Sequence, residues 1–398
     1  MKLHFRLLLI ICILILSGCW DKKELNELAV ATGVAIDKAE DGYRVSVQTV
    51  NSSEVTSQLG TSGVIPVNVR SEFGVTMYDA TRKLSLTNSK RPYGSHLQAL
   101  IISQEVAKEG IAAVIDYFSR DNDFRSDFLI ILTRDTEAKD ILKMQTVTEK
   151  IPMKAILSML EISADITGST HIMDMRDFLN IIALPGRSPI IPVIDVVGDL
   201  EVGPTKANTE STEPPATYIY NGAGILQEDK LIGYIDSEVI KSVNYLTDNI
   251  THTIENYTCS DSGKISLEIL QSKTKRKAKL NEEGKPFIDV NIRSIANIGE
   301  SNCSLDLLDP NSINELEKNF AEQLKTDLQT SIKMIQSEYQ LDIFGFGEDI
   351  YRYHPKVWAE LKDDWQEHFA NLEVNIDVGV NITQLGSTKN SIQQYIQE

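Results

Sequence analysis

The thiol of Cys19 ends the string Leu16-Ser17-Gly18-Cys19, which follows Lys2, Arg6 and an unbroken apolar run at 7–16. Those ten residues make about 15 Å of helix against a bilayer core of about 30 Å, so the run suits a secretory signal and not a span. Its ending has the form of a bacterial lipobox. Small Ser17 and Gly18 leave the backbone open to processing enzymes, and the Cys19 sulfur is the nucleophile that diacylglyceryl transfer needs. Residues 1–18 are then the expected signal peptide. Cys19, carrying diacylglyceryl and N-acyl groups, becomes the mature N-terminus on the extracytoplasmic face of a membrane. One acyl chain binds marginally, at about 0.8 kcal/mol per buried methylene, whereas two hold stably.

Of four cysteines, Cys12 leaves with the signal, so Cys259 and Cys303 remain. Alternating runs at 264–280 and 287–298, joined by Asn281-Glu282-Glu283-Gly284, read as a β-hairpin whose turn lies almost midway between them. The two cysteines would meet at its open end, either as a disulfide or as two free thiols. In a strand at 273–279, Lys273, Lys275, Lys277 and Lys279 share one face, either solvated or set to meet lipid phosphates or an acidic partner loop, and Arg276 points the other way. Catalytic signatures are missing: the chain contains no Gly-x-Ser-x-Gly, His-Glu-x-x-His or Cys-x-x-Cys. No catalytic residue, metal or cofactor is therefore expected. Asp121-Asn122-Asp123 opens like a calcium loop, but Arg125 and Ser126 stand where a ligand and a glycine are needed. Gly345-Phe346-Gly347 lacks the third glycine of a dinucleotide fingerprint and reads as a tight turn or a close backbone approach. Arg120 and Asp121, at the end of an apolar helix, are placed to form an ion pair that fixes a turn, or to face a partner.

The elements that must carry these residues alternate through the first half. Strands are expected at 29–36, 43–50, 64–73, 97–102 and 128–132, and helices after Thr76, at 106–118, 136–144, 151–160 and 173–182. From 199 to 216 the composition turns to Pro, Thr, Ser, Asn and Glu, the best linker or loop in the chain. It would separate an N-terminal region 19–198, in two sub-domains, from a C-terminal region 217–398. The latter holds the strongest helix, with Ile313, Leu316, Phe320, Leu324, Leu328, Ile332 and Ile335 at three- and four-residue intervals. The expected class is α+β: three consecutive mixed domains of small sheets with packed helices. A hydrophobic content of 42% is enough for such cores, and a net charge of −18 excludes nucleic acid as a partner.

Several blocks line up in order with one family. They are Gly18-Cys19-Trp20-Asp21, Gly33-Val34-Ala35-Ile36-Asp37, Gly74-Val75-Thr76, Phe118-Ser119-Arg120-Asp121 and Asp229-Lys230-Leu231-Ile232-Gly233. The most specific is Asp342-Ile343-Phe344-Gly345-Phe346-Gly347-Glu348, followed by Tyr353-His354-Pro355, Trp358 and Trp365. With these the chain resembles the Ger(x)C family, the lipoprotein C subunit of nutrient germinant receptors in endospore-forming bacteria. The resemblance implies a lipidated, non-catalytic subunit on the outer surface of the spore inner membrane. It also implies membrane-embedded A and B subunits as partners, and a complex that answers small nutrients. Arg120, Asp121, Gly345, Gly347, Glu348, Trp358 and Trp365 are its candidate structural or partner-facing residues. A different class, a solute-binding lipoprotein that captures a nutrient in its own cleft, is the alternative; the unlike halves of the chain speak against it.

Overall fold

The computed structural model describes residues 28–50, 66–87, 90–259 and 262–384. Cys19, the signal segment 1–18 and the 57–63 loop lie outside the described residues.

The described residues open with a hairpin, β1 (Leu28–Ala39) and β2 (Gly42–Val50), then β3 (Val67–Gly74) and α1 (Met77–Thr87). Next come β4 (Arg91–Tyr93), β5 (Ala99–Ile102), α2 (Gln104–Glu109), α3 (Ala112–Arg120), β6 (Leu129–Thr133) and the short α4 (Ala138–Ile141). The chain continues through α5 (Pro152–Thr167), α6 (Met175–Ala183), β7 (Ile190–Gly198), α7 (Ala207–Glu210), β8 (Ala216–Gln227) and β9 (Lys230–Ile235). All nine strands form one sheet, ordered β3-β2-β1-β5-β6-β7-β8-β9 with β4 beside the start of β1. From β1 to β7 the pairs are parallel, which explains why β5 and β6 read as continuous apolar runs: both their faces are covered. Strand alternation sends Ile36, Leu100 and Leu132 toward α1, α3 and α6. It sends Ala35, Ile101 and Ile131 to the opposite face, under α4 and α5.

After α8 (Ser237–Leu246) a second sheet follows, of β10 (Thr253–Thr258), β11 (Lys264–Leu280), β12 (Pro286–Ser301) and β13 (Glu373–Gln384), in that order. β13 runs parallel to β12, so the chain must cross over the sheet to reach it. That crossover is α9 (Pro310–Glu338), followed by α10 (Phe346–Tyr353), α11 (Pro355–Leu361) and α12 (Trp365–Ala370). Asp309 caps α9 by accepting the Asn311 N–H, and Pro310 takes the first turn, where its missing donor costs nothing. The stripe from Leu316 to Ile335 is buried against the second sheet. One apolar core runs from Ile190 and Ile225 of the first sheet, through Ile240 and Val243 of α8, to Ile292 and Leu328.

The class is α+β over more than one domain, but the 199–216 segment is no boundary between sheets. It joins β7 to β8, which are antiparallel neighbours in the first sheet. It is held down by Asn208, whose side chain bonds the Gln145 carbonyl and both backbone groups of Ala216. The change of sheet comes after Ile235, where α8 carries the shared core across.

Cys259 and Cys303 are joined as a disulfide at the open end of the β11–β12 hairpin, 44 residues apart and both buried. Closing a loop of that length restricts the unfolded chain by an amount worth about 2–4 kcal/mol. Cys303→Ser should lower the unfolding free energy by that amount in denaturant titrations under oxidising conditions. Equal stability of variant and wild type would show that the bond adds nothing to the fold.

Candidate functional site

The block Asp342-Ile343-Phe344-Gly345-Phe346-Gly347-Glu348 forms a buried joint between the two halves. Oδ1 of Asp342 accepts the N–H groups of Phe344 at 3.0 Å and Gly345 at 2.8 Å, and Oδ2 accepts that of Gly347 at 2.8 Å. Burial pushes this carboxyl up to about 6 in spite of the backbone N–H groups, which pull it down. Its own carbonyl accepts the Ser188 N–H at 2.7 Å, a bond to the loop that enters β7 of the first sheet. In that loop Gly186, at φ +91°, meets Gly347 backbone to backbone. A Cβ on Gly347 would stand 2.6 Å from the Gly186 Cα and 3.0 Å from the Trp358 ring. Neither glycine can be replaced without forcing the segments apart.

Arg276 secures the joint from the second sheet. Its side chain points inward from β11 while Lys273, Lys275, Lys277 and Lys279 face water, as strand alternation requires. It donates to the Phe344 carbonyl and lies over the Phe346 ring at 5.7 Å. Its Nε stands 3.0 Å from Asp349 Oδ2. That N–H is not aimed at the oxygen, so the contact is Coulombic and not a hydrogen bond. Burial raises the Asp349 carboxyl and Arg276 opposes the rise. Arg187, next to Gly186, is brought toward Glu348, and burial lowers its guanidinium from the usual range.

Gly345, Gly347, Glu348, Trp358 and Trp365 thus come together. Trp358 and Trp365 meet edge to face at 5.1 Å, and Phe344 stacks on Phe346 at 5.3 Å. With Phe369 they fill the space between α9 and the second sheet, so they pack a core and do not line a cleft. His354 bonds the Ala278 carbonyl through Nε2. Among the described residues no cluster of three or more His, Cys, Asp or Glu could hold a metal ion.

Arg120 and Asp121 lie elsewhere, at the end of α3, and do not pair. Arg120 Nε bonds Asp116 Oδ2 at 2.7 Å, one helical turn back, while Asp121 leaves the helix and accepts the Asp123 N–H. The helix ends between them, which turns the two side chains apart. Both line a groove of about 820 Å³ between α1 and α3.

Sequence reasoning gave no individual role to three of the buried charges. Asp37 accepts the N–H groups of Ala138 and Lys139 at the start of α4, and burial raises it to about 6. Its signal was a single charge ending an apolar strand. Asp342 had only its place in a motif, and Arg187 had none.

Comparisons with known proteins divide the chain at the 199–216 segment, ahead of the change of sheet. A family model described as the spore germination protein N-terminal domain matches residues 21–196, and one described as spore germination B3/GerAC like, C-terminal, matches 221–386. Spore germination protein KC of Bacillus subtilis (strain 168) is 29% identical over 100% of this chain and 99% of its own length. Spore germination protein B3 of the same organism is 25% identical over 94% and 96%. A crystal structure of the GerBC protein superposes with a TM-score of 0.54 at 19% identity, covering 91% of this chain and 99% of that one. At that identity the likeness is one of fold.

Two outcomes test the joint. Gly347→Ala drives a Cβ into the Gly186 backbone and should cost about 1–3 kcal/mol of stability; unchanged thermal unfolding would contradict the close approach. The second concerns pH. Between about pH 4 and 6 native Asp342 holds a proton that the unfolded chain has released, so its favourable contribution is present at acid pH and lost as pH rises through 6. Stability relative to Asp342→Asn should therefore fall by about 2–3 kcal/mol across that window. A flat difference would mean that the carboxyl titrates normally.

Proposed function

The chain belongs to the GerAC-like spore germination family, Ger(x)C, and from that premise we propose that it is the lipid-anchored C subunit of a nutrient germinant receptor. The observation that carries the reading is the end-to-end match: both family models and relatives spanning nearly the whole chain, all named for spore germination. In this reading Cys19 is lipidated and the mature chain sits on the outer surface of the spore inner membrane. Among the described residues no helix is long and apolar enough to cross a membrane, so attachment falls to the acyl groups. Its partners are the membrane A and B subunits, and its role is assembly and signalling without catalysis. The buried joint supports this, because its carboxylates are engaged by backbone N–H groups and an arginine. A body with two halves sharing a core can bias a partner only by binding two of its states with different affinity.

Affinity capture from detergent-solubilised spore membranes tests the assembly. The tagged protein should bring down A- and B-type subunits; recovery of the lipoprotein alone, from membranes in which those subunits are detectable, would refute it. Cys19→Ala tests the anchor: the variant should move to the soluble fraction, and a variant that stays with the membrane would end the lipid-anchor argument.

A further inference from the structure

A lipid at Cys19 would fix more than attachment, because little chain separates it from the fold. Cys19 and Leu28, the first residue of β1, are nine peptide steps apart. Whatever path those residues take, they reach at most about 32 Å. The 12 residues of β1 rise about 36 Å from Leu28 to Ala39. A body standing on its Ala39 end would hold Leu28 beyond that reach, even before the Glu40-Asp41 turn is counted. The Leu28 end is the one the anchor can bring down.

Topology gathers particular residues at that end. β1, β5 and β6 are parallel and all begin there. β4 joins them, with Arg91 beside Leu28. β3 finishes at the other end, where Gly74 faces Tyr43 and Tyr43 faces Lys38. α1 follows β3 and must travel back to reach β4, so its last turn arrives near Leu28. That turn holds Leu86, which at 84% is the most exposed large apolar side chain among the described residues. Lys90 and Arg91 come next, and residues 80–104 contain no Asp or Glu. An apolar side chain followed by cations suits a headgroup layer, where the one enters and the others meet phosphate.

Electrostatics alone would not choose this edge. Asp121 and Asp123, after α3, line the same groove as Pro92 and Gly94, and they offset the nearby cations. The short tether and the exposed leucine decide. A flat-lying sheet would press exposed carboxylates onto anionic lipid, Asp116 and Asp177 from one helical layer or Glu161 and Asp165 from the other.

We infer that the edge of the nine-stranded sheet at which β1, β5 and β6 begin rests on the membrane, with Leu86 entering a headgroup layer of anionic lipid. The inference rests on the lipid-anchor reading and adds an orientation to it.

The test uses the mature, lipidated protein. With Cys19 acylated and Cys259 bonded to Cys303, an added cysteine is the one free thiol. A fluorophore goes on Leu86→Cys, on Asp41→Cys at the far turn, on Asp116→Cys of α3 or on Lys154→Cys of α5, all exposed positions. Each protein is reconstituted on vesicles of phosphatidylglycerol and phosphatidylethanolamine whose headgroups carry a paramagnetic quencher. The label at 86 should lose most of its fluorescence, and the other three should keep theirs. Quenching at 41, 116 or 154 as strong as at 86 would overturn the orientation and leave the anchor standing. No vesicle binding by the lipidated protein, or equal binding by Cys19→Ala, would overturn both. In solution the Cys19→Ala form should leave the 86 label open to iodide. Protection there would mean that another part of the chain covers the position, and would refute the entry of Leu86 into lipid.

Discussion

Asp342 sits out of water with its two carboxylate oxygens on three backbone N–H groups, and the arrangement of both halves depends on it. An isolated buried carboxylate costs several kcal/mol, roughly, and hydrogen bonds to a charged group return about 1.5–3 kcal/mol each. The two nearly cancel, which is why the carboxyl is shifted to about 6 without being forced neutral at physiological pH. What the arrangement gains is shape. It fixes the tight turn before α10, which sets Gly347 on Gly186 and aims the Phe344 carbonyl at Arg276. The loop entering the first sheet, the hairpin of the second and the crossover helices are thereby held at one point.

Much of the fold was legible because it is written in periods. The seven-position stripe of α9 and the alternation of β11 and β12 gave those elements nearly to the residue, and alternation alone turned Arg276 inward. The 136–144 helix shrank to α4, whose start depends on a tertiary contact from Asp37 that local sequence does not show. The 199–216 segment was read as a linker or loop, and the structure makes it a loop between two neighbouring strands. Composition reports that a segment is poorly suited to a core, but not which strands it joins, and Asn208 anchors it by bonds to distant backbone. At the site, the motif residues came together as a core, while Arg120 and Asp121 separated because a helix end fell between them. Arg187 was invisible, since its neighbours are close only in space.

The functional reading follows from the same division of labour. In the proposed receptor reading, an acidic chain of net charge −18 gains little from anionic lipid, and acyl groups at Cys19 would supply the attachment. What the lipid positions is a body whose halves share one core, with the joint at the loop before β7 and an open groove on the helical face of the first sheet. The two halves meet through the core around α8 and the joint and not through a linker, which predicts that they unfold as one unit.

That claim can be measured on the mature chain without its lipid, by comparing calorimetric and van't Hoff enthalpies of thermal unfolding. A shared core and a welded joint predict a single transition in which the two enthalpies agree. Two resolved transitions, one for each sheet, would show that the halves fold independently and would contradict the account.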